Sequence, residues 1–262
     1  MKIREVVDAL ERFAPLPLQE GWDNAGLQVG LTEAEVSGAL LCLDVTEKVV
    51  DEAISKQCNL IVSHHPLIFH PLKRIDGSSD VQRAVVKAIK NDVTVVSMHT
   101  NMDNARGGVN YKIAEKIGLC DMDFFTEMKT FNGVDGASGV MGKLPEPLTA
   151  EEFVARLKTV FGVDCAQCNS MLSRKIETVA ICGGAGSFLL NDAIKAGADA
   201  FVTGEMHYHE YFAHEDEIQI AVIGHYQSEK FTQEIFKSII MERCPQVRTL
   251  FSEANINPII YI

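Results

Sequence analysis

The hydrophobic and polar positions of the chain follow two periods, one typical of helices and one typical of buried strands. Apolar residues recur at helical spacing over residues 3–14, and Pro15 and Pro17 end that helix. Almost continuous apolar runs and further helical patterns then alternate at 39–45, 46–57, 60–63, 81–92 and 93–99. This βαβαβ order predicts an α/β protein whose sheet is covered by helices on both faces.

The strand–helix–strand pattern of residues 39–63 occurs again at residues 179–203, and the two segments align without a gap. The strands that follow also match, because residues 93–103 and 219–229 both end in a His followed four positions later by a carboxylate residue. The chain is therefore predicted to contain two similar, pseudo-symmetric, three-layer α/β lobes with mixed or mostly parallel sheets. A chance likeness between two ordinary βαβ units is the alternative.

These repeats predict a domain division. Residues 1–120 form lobe 1, residues 121–175 connect the lobes, and residues 176–262 form lobe 2, with one structural unit overall. Within the connecting segment, Thr149 and Glu152 form a capping box that opens a helix. We expect the functional site in the cleft between the lobes, where the two repeats meet.

The composition is that of an ordinary globular chain and excludes some functions. The 262 residues are 47% hydrophobic and 23% charged. The net charge of -12 argues against general duplex-DNA binding, which depends on Lys and Arg to displace counterions from phosphates. No apolar run has the length of a membrane span, so no membrane partner is expected. A phosphorylated small molecule is still compatible with this charge, because a bound metal inverts the local field.

The seven Cys residues indicate reduced thiols. Their number is odd and the N-terminus lacks the continuous apolar region of a signal peptide, which together predict a cytoplasmic protein. Cys165 and Cys168 form an isolated CxxC without a second Cys/His pair nearby. Two half-buried thiols are therefore the simpler interpretation, and a redox or metal-binding pair is the alternative.

Histidines and carboxylates collect at the ends of the predicted strands. Residues 62–66 read VSHHP, which places two adjacent imidazoles after an apolar run and before a proline that restricts the backbone. Ligands of α/β sheets bind beyond the carboxyl ends of strands, so these side chains are expected to converge. The strand-end candidates are His64, His65, His99, Asp103, Glu205, His225 and Glu229. Such mixed sets suit two ions of Zn, Mn, Fe or Ni, whereas a single strand-end His is usually a hydrogen-bonded loop residue.

Five motifs in this order resemble one family. They are GWDNAGLQVG (21–30), SHHPLIF (63–69), HTNMDNARGGVN (99–110), TGEMHYHE (203–210) and GHYQSE (224–229). The set resembles the short form of the GTP cyclohydrolase 1 type 2 homologues, also called Nif3-like dinuclear metal-centre proteins. The resemblance implies two similar lobes, a toroidal homohexamer and two divalent transition-metal ions. The ligands that it implies are His64, His65, Asp103, His225 and Glu229.

Further residues of these motifs are candidates for catalysis and substrate binding. His99 is interpreted as a group that orients Asp103 or a water at the metals. If a helix begins after Thr203, Glu205 and His209 share a face and either could act as a general acid or base, with a polar helix start as the alternative. The predicted substrate-binding residues are Asp23, Asn24, Arg106, Gly107 and Gly108. For Asp23 and Asn24 the alternative is that their segment only serves to pack the single Trp of the chain. For residues 106–108 the alternative is a plain glycine turn.

Metal-assisted hydrolysis is the function that these residues favour. Two bound ions lower the pKa of a water and polarise an electrophile, while Glu205, His209 or His99 would transfer protons. The resemblance implies opening of the purine ring of GTP. Fold and metal site do not distinguish a cyclohydrolase from a phosphoesterase or an amide hydrolase that acts on a nucleotide or another phosphorylated small molecule. The alternative is a ring-shaped protein that is not an enzyme and that stores metal, delivers metal or binds protein partners. A metal site without a free coordination position would favour this alternative.

Overall fold

The computed structural model of the chain describes residues 1–260 and 262. The α-helices are Ile3–Phe13 (α1), Glu47–Ser55 (α2), Asp80–Lys90 (α3), Thr100–Asn104 (α4), Val109–Ile117 (α5), Ala150–Phe161 (α6), Leu190–Lys195 (α7), His225–Glu229 (α8) and Thr232–Arg243 (α9). The strands are Gly26–Val29 (β1), Ala39–Cys42 (β2), Leu60–Ser63 (β3), Thr94–Ser97 (β4), Cys120–Phe124 (β5), Lys129–Phe131 (β6), Val134–Gly136 (β7), Val140–Leu148 (β8), Gln167–Cys168 (β9), Ile176–Cys182 (β10), Ala200–Thr203 (β11), Gln219–Val222 (β12) and Thr249–Phe251 (β13). None of the helices in these residues has both the length and the apolar character needed to cross a bilayer.

The chain divides into two compact units. The first contains Met1–Met102 and Thr232–Ile262, and the second contains Asp103–Phe231. Both are mixed α/β units, so the predicted fold class is confirmed. The chain passes from the first unit to the second within α4 and returns directly before α9.

The first unit is built on a five-stranded sheet of order β1-β4-β3-β2-β13. β13, β2, β3 and β4 are parallel, and β1 is antiparallel to β4. Every residue of β2, β3 and β4 is buried, as expected for strands that are covered on both faces. Leu40, Ile61 and Val95 pack with α2 and α3, while α9 packs against β2 and α1. This sheet is the mostly parallel arrangement that the apolar runs predicted.

The second unit contains a six-stranded mixed sheet of order β5-β8-β10-β11-β12-β9. β10, β11 and β12 are parallel, and the other pairs in this sheet are antiparallel. Ala180, Phe201 and Ile220 pack in one core cluster with residues of α7 and of the 3₁₀ turn Gly186–Leu189. β6 and β7 form a separate hairpin.

Both units contain the predicted strand–helix–strand repeat. β2, α2 and β3 of the first unit match β10, α7 and β11 of the second, and β4 matches β12. In each unit the three repeat strands are adjacent and parallel. The helix starts agree as well, since Thr46 caps α2, and Thr149 forms the capping box of α6 with Glu152.

The two units have different bounds from the predicted lobes 1–120 and 176–262. α9 and β13 belong to the first unit, because β13 pairs in parallel with β2 and α9 packs on α1. The segment 121–175 is more than a connection, since β8 lies between β5 and β10 in the second sheet. Both differences from the predicted bounds arise because strands that are distant in sequence pair with each other. Such pairing leaves no local pattern in the sequence.

Glu52 in α2 anchors the C-terminal segment of the first unit. Its carboxylate accepts hydrogen bonds from the backbone N–H groups of Glu253 at 2.9 Å and Ala254 at 3.1 Å. Ser252 Oγ donates at 2.6 Å and Lys56 Nζ at 2.7 Å. Burial alone would raise the pKa of Glu52, but these four donors outweigh it and lower the pKa to about 2. The ionised carboxylate is therefore part of the fold.

Glu52→Gln should lower the free energy of unfolding by about 2 kcal/mol near neutral pH, because charge-assisted hydrogen bonds are lost. In the wild type this contribution is present above the ordinary Glu pKa of 4.5 and disappears as the pH falls towards 2, so the variant should lack this part of the acid dependence. Urea unfolding at a series of pH values measures both effects. Glu242→Gln, at an exposed residue of α9, is the control, and equal stability of the two variants would contradict the anchor.

Candidate metal centre

Groups of His, Asp and Glu side chains in the described residues could hold a metal ion. In the first unit, His64, His65 and His99 form one such group, and one ring nitrogen of each lies within 4.8 Å of the others. The ring centroids of His64 and His65 are 4.9 Å apart, and His99 lies 5.2 Å from His64 and 5.4 Å from His65. The adjacent pair after β3 and the His after β4 thus converge as the strand-end pattern predicted.

The end of β3 explains how two consecutive side chains come close together. β3 ends at Ser63, whose Oγ donates to the backbone carbonyl of His65 at 2.9 Å. Consecutive side chains of an extended strand point to opposite faces. The short distance between the rings of His64 and His65 therefore shows that the backbone leaves strand geometry here, directly before Pro66.

Oxygen acceptors hold the Nδ1 atoms of His64 and His65. His64 is fully buried, and its Nδ1 lies 2.9 Å from the carbonyl oxygen of Met98. His65 Nδ1 lies 2.8 Å from Asp44 Oδ1. Burial alone would raise the pKa of Asp44, but the hydrogen bond from His65, the charges of His65 and His64 and the contact with Asn255 together outweigh it, and the pKa is below its ordinary value. Acceptors at Nδ1 place the proton there and leave the lone pair on Nε2, which is the arrangement of metal-binding imidazoles.

Asp23 holds His99 in the same way. Its Oδ1 lies 2.7 Å from His99 Nδ1, while Oδ2 accepts hydrogen bonds from the backbone N–H and the hydroxyl of Thr100. The Asp23 side chain has no exposed surface. Burial alone would raise its pKa, but the hydrogen bonds from His99 and Thr100 bring the pKa below the ordinary value. Asp23 thus orients an imidazole, and its predicted contact with substrate stays a prediction.

In the second unit, His225 lies between two carboxylates. His225 and Glu229 are the first and last residues of α8, and His225 Nε2 lies 3.0 Å from Glu229 Oε2. Glu205 Oε1 lies 3.0 Å from His225 Nδ1. Glu205 therefore holds the ring of His225 as Asp44 holds that of His65. The structure brings these three predicted residues together.

A glycine loop makes room for the carboxylate of Glu229. Gly184 has a φ of +57°, and a Cβ at this position would lie 2.2 Å from Glu229 Oε1 and 3.5 Å from His225 Cε1. The N–H of Gly184 donates to Ser228 Oγ at 3.0 Å, and its carbonyl accepts from the N–H of Glu205 at 2.9 Å. This loop fixes the residues around His225 and leaves a space beside a carboxylate and an imidazole, which fits a metal site.

Asp103 lies in α4, four positions after His99, and is half-buried. Asn110 donates from Nδ2 to its backbone carbonyl at 3.1 Å, and Asn110 Oδ1 accepts from the N–H of Gly183 at 2.9 Å. Asn110 therefore connects the turn of Asp103 to the glycine loop. The role of Asp103 as a ligand stays a prediction.

The predicted Arg106, Gly107 and Gly108 lie directly before α5. Gly107 has a φ of +78°, which favours glycine. Arg106 donates to Asp123 Oδ1 at 2.8 Å, and its guanidinium lies 4.9 Å from the ring centroid of Phe124. The guanidinium thus has partners within its own unit, and substrate binding by this turn stays a prediction.

His209 does not share a helix face with Glu205. In this described stretch, a 3₁₀ turn at Tyr208–Tyr211 takes the place of the helix expected after Thr203. The condition for a shared face, a helix that begins after Thr203, is therefore not met. His209 is exposed and stacks on the ring of Phe212 at 6.2 Å. Its catalytic role stays a prediction from the sequence.

Three supporting residues were not predicted from the sequence. Asp44 lies two residues after the end of β2, so it carries the same strand-end signal that indicated Asp103. Gly184 belongs to the Gly-rich segment GGAGS at 183–187, which contains no residue type that binds a metal through an imidazole, thiolate or carboxylate. Asn255 accepts hydrogen bonds from the backbone N–H groups of Leu43 and Asp44. No local pattern identifies Asn255, because it arrives from the C-terminal segment.

Asp44→Asn should weaken metal binding by about 10- to 100-fold, because His65 then loses the carboxylate that orients its ring. The affinity is measured by competition with a chelator of known affinity. Asp51→Asn, at an exposed carboxylate paired with Lys87, is the control and should leave the affinity unchanged. The same affinity in both variants would show that Asp44 does not support a metal ligand.

Comparison with known proteins gives matches over almost the whole chain. A family model described as Duf34/NIF3 (NGG1p interacting factor 3) matches residues 1–258. A protein of Clostridium perfringens named GTP cyclohydrolase 1 type 2 homolog is 34% identical over 230 residues, which cover 87% of each chain. One with the same name from Clostridium acetobutylicum is 32% identical over 231 residues, which cover 87% of this chain and 85% of the relative. The crystal structure of a Staphylococcus aureus hypothetical protein has a TM-score of 0.90 at 28% identity, covering 100% of this chain and 99% of that one.

Proposed function

Since the chain belongs to the Duf34/NIF3 family, we propose that it is a metal-dependent hydrolase. The proposed enzyme holds two divalent transition-metal ions and acts on a nucleotide or another phosphorylated small molecule. The observation that carries the proposal is the arrangement of the imidazoles of His64, His65, His99 and His225. Each has an oxygen acceptor at Nδ1. His214 also has such an acceptor, Glu217 Oε2 at 2.8 Å. What distinguishes the four imidazoles is that each also lies beside another possible ligand, namely one another in the first unit and Glu229 at His225.

The ligands in this proposal are those that the family resemblance implies. His64 and His65 would act with Asp103, His225 and Glu229, giving three imidazoles and two carboxylates. This donor set suits Zn, Mn, Fe or Ni, and two ions held by five side chains would keep room for a substrate and a water. When bound, the two ions would lower the pKa of water towards neutrality and polarise the electrophile.

His99 is the residue that we assign to proton transfer. Its Nε2 would accept the proton of the attacking water, while the buried carboxylate of Asp23 keeps the other proton on Nδ1 and stabilises the imidazolium that forms. Glu205 would orient His225, and Gly184 leaves the space in which Glu229 lies. These contacts support a site prepared for chemistry.

The same proposal covers assembly and location. The resemblance supports a toroidal homohexamer, and the free Cys residues within the described part of the chain agree with a reducing cytoplasm. The names of the relatives support a GTP-like substrate. Sedimentation velocity of the full chain tests the assembly, since a monomer at micromolar concentration would contradict a hexamer.

Hydrolysis assays on the metal-loaded protein test the activity. Nucleotides, phosphoesters and amides are each incubated with protein that holds Zn, Mn, Fe or Ni, and with the chelated protein as control. We expect turnover of at least one substrate only when metal is bound. Tight metal binding without turnover of any substrate, together with loss of the oligomer on chelation, would contradict the enzyme and favour the metal-storing or adaptor ring.

A further inference from the structure

Trp22 and Phe69 form an exposed pair of aromatic rings beside the histidines of the first unit. Their exposed fractions are 63% and 42%, and their ring centroids are 5.9 Å apart at an interplanar angle of 55°. Each ring centroid lies 6.1 Å from that of His99. Two large apolar side chains therefore face solvent next to the imidazole that we assign to proton transfer.

The two loops that carry these rings are cross-linked by hydrogen bonds. Asn24 Nδ2 donates to the backbone carbonyl of Ile68 at 2.7 Å. Gln28 Nε2 donates to the carbonyl of Asn24 at 2.6 Å, and Gln28 Oε1 accepts from the N–H of Ile68 at 3.2 Å. The residues next to Trp22 and Phe69 are thus fixed to each other. The rings are held in place although neither is packed into the core.

This arrangement resembles a prepared binding surface more than ordinary surface packing. Scattered apolar side chains on a surface need no explanation, but adjoining exposed rings beside a polar cluster indicate a place where a ligand binds. A third planar ring could stack on one member of the tilted pair and meet the edge of the other, which is the geometry that aromatic rings favour. Such stacking tolerates many planar heteroaromatic rings.

We propose that Trp22 and Phe69 form a stacking subsite for a planar heteroaromatic ring of the substrate. This inference rests on the proposed hydrolase function and specifies its substrate. Because both centroids lie 6.1 Å from the His99 ring, a stacked ring reaches the imidazoles without a spacer. The subsite therefore places the ring of a nucleotide-like substrate next to His99 and its distal phosphate farther away.

Fluorescence of the full chain tests the subsite without turnover, because Trp22 is the only Trp of the chain. Metal-free protein is titrated with guanosine as the probe and with ribose as the matched ring-free compound. We expect saturable quenching by guanosine and no response to ribose. Phe69→Leu keeps an apolar side chain but removes a ring, and it should weaken guanosine binding by roughly 10-fold. Phe131→Ala, at a 39% exposed Phe of the β6–β7 hairpin, should bind like the wild type.

Kinetics of the metal-loaded enzyme separate this inference from the hydrolase proposal. Trp22→Ala and Phe69→Leu should raise KM for ring-bearing substrates by roughly 10- to 100-fold and leave ring-free phosphoesters unaffected. Quenching by guanosine without turnover of any substrate would keep the subsite and overturn the hydrolase. Turnover with an unchanged KM for ring-bearing substrates in both variants would support the hydrolase and overturn the stacking subsite. Emission that changes with protein concentration and not with guanosine would show that a second copy of the chain covers the rings, which overturns the subsite.

Discussion

Glu229→Gln should remove most of the bound metal and lower the hydrolytic rate by about 10³-fold, which corresponds to about 4 kcal/mol of transition-state stabilisation. Gln has almost the same size as Glu, so the variant should fold. It lacks the negative charge that lies 3.0 Å from His225 Nε2 and that we assign to the ions. Metal content after dialysis and the rate with the best substrate are the two measurements.

Glu242→Gln is the matched control for this variant. Glu242 is an exposed residue of α9 and takes no part in the proposed site. We expect it to keep the metal content and the rate of the wild type. If Glu229→Gln also kept its metal, the contact between Glu229 and His225 would be an ion pair of the fold, and Glu229 would not be a ligand.

Gly184→Ala should weaken both the fold of the second unit and metal binding. A Cβ there would lie 2.2 Å from Glu229 Oε1, and the φ of +57° is unfavourable for Ala. We expect the free energy of unfolding to fall by about 3 kcal/mol and the metal affinity to fall with it, because Glu229 has to move. Chemical denaturation and chelator competition measure the two effects.

Gly197→Ala separates backbone strain from the clash. Gly197 has a φ of +80°, but a Cβ at that position would have no atom within 4 Å. This control should lose only about 1 kcal/mol of stability from strain and should keep the metal affinity of the wild type. Equal metal affinity in the two variants would show that Gly184 does not shape the site.

The central strands of both sheets could be predicted because their surroundings are uniform. β2, β3 and β4 are buried at every position, so they appear in the sequence as almost continuous apolar runs of strand length. The same pattern in β11 and β12 makes the internal repeat visible. Helix starts such as that of α6 were predictable because the capping residues are local in sequence.

The peripheral strands could not be predicted in the same way. β13 has three residues and none is buried, so only its pairing with β2 makes it a strand. β5 and β8 have mixed burial and lie on the antiparallel side of the second sheet. Without unbroken apolar runs, these segments were grouped as a connection, although they form part of the second sheet.

In the candidate site, too, only part of the structure could be predicted from the sequence. The imidazoles could be identified because they follow strand ends, where side chains of parallel strands converge. The roles of the acceptors behind them are harder to predict, since the sequence does not show which imidazole Asp44 or Asp23 contacts. The predicted position of His209 depended on a helix after Thr203, where the structure has a 3₁₀ turn at Tyr208–Tyr211. Chemistry at strand ends is therefore visible in the sequence, while the hydrogen bonds that orient it are not.

Metal content of the wild-type chain tests the central claim most directly. Protein is purified without chelator, and elemental mass spectrometry gives the number of transition-metal ions per chain. We predict about two ions of Zn, Mn, Fe or Ni per chain. Protein that holds no transition metal, even after reconstitution with each of these ions, would contradict the metal centre and leave the histidines as part of a metal-free surface.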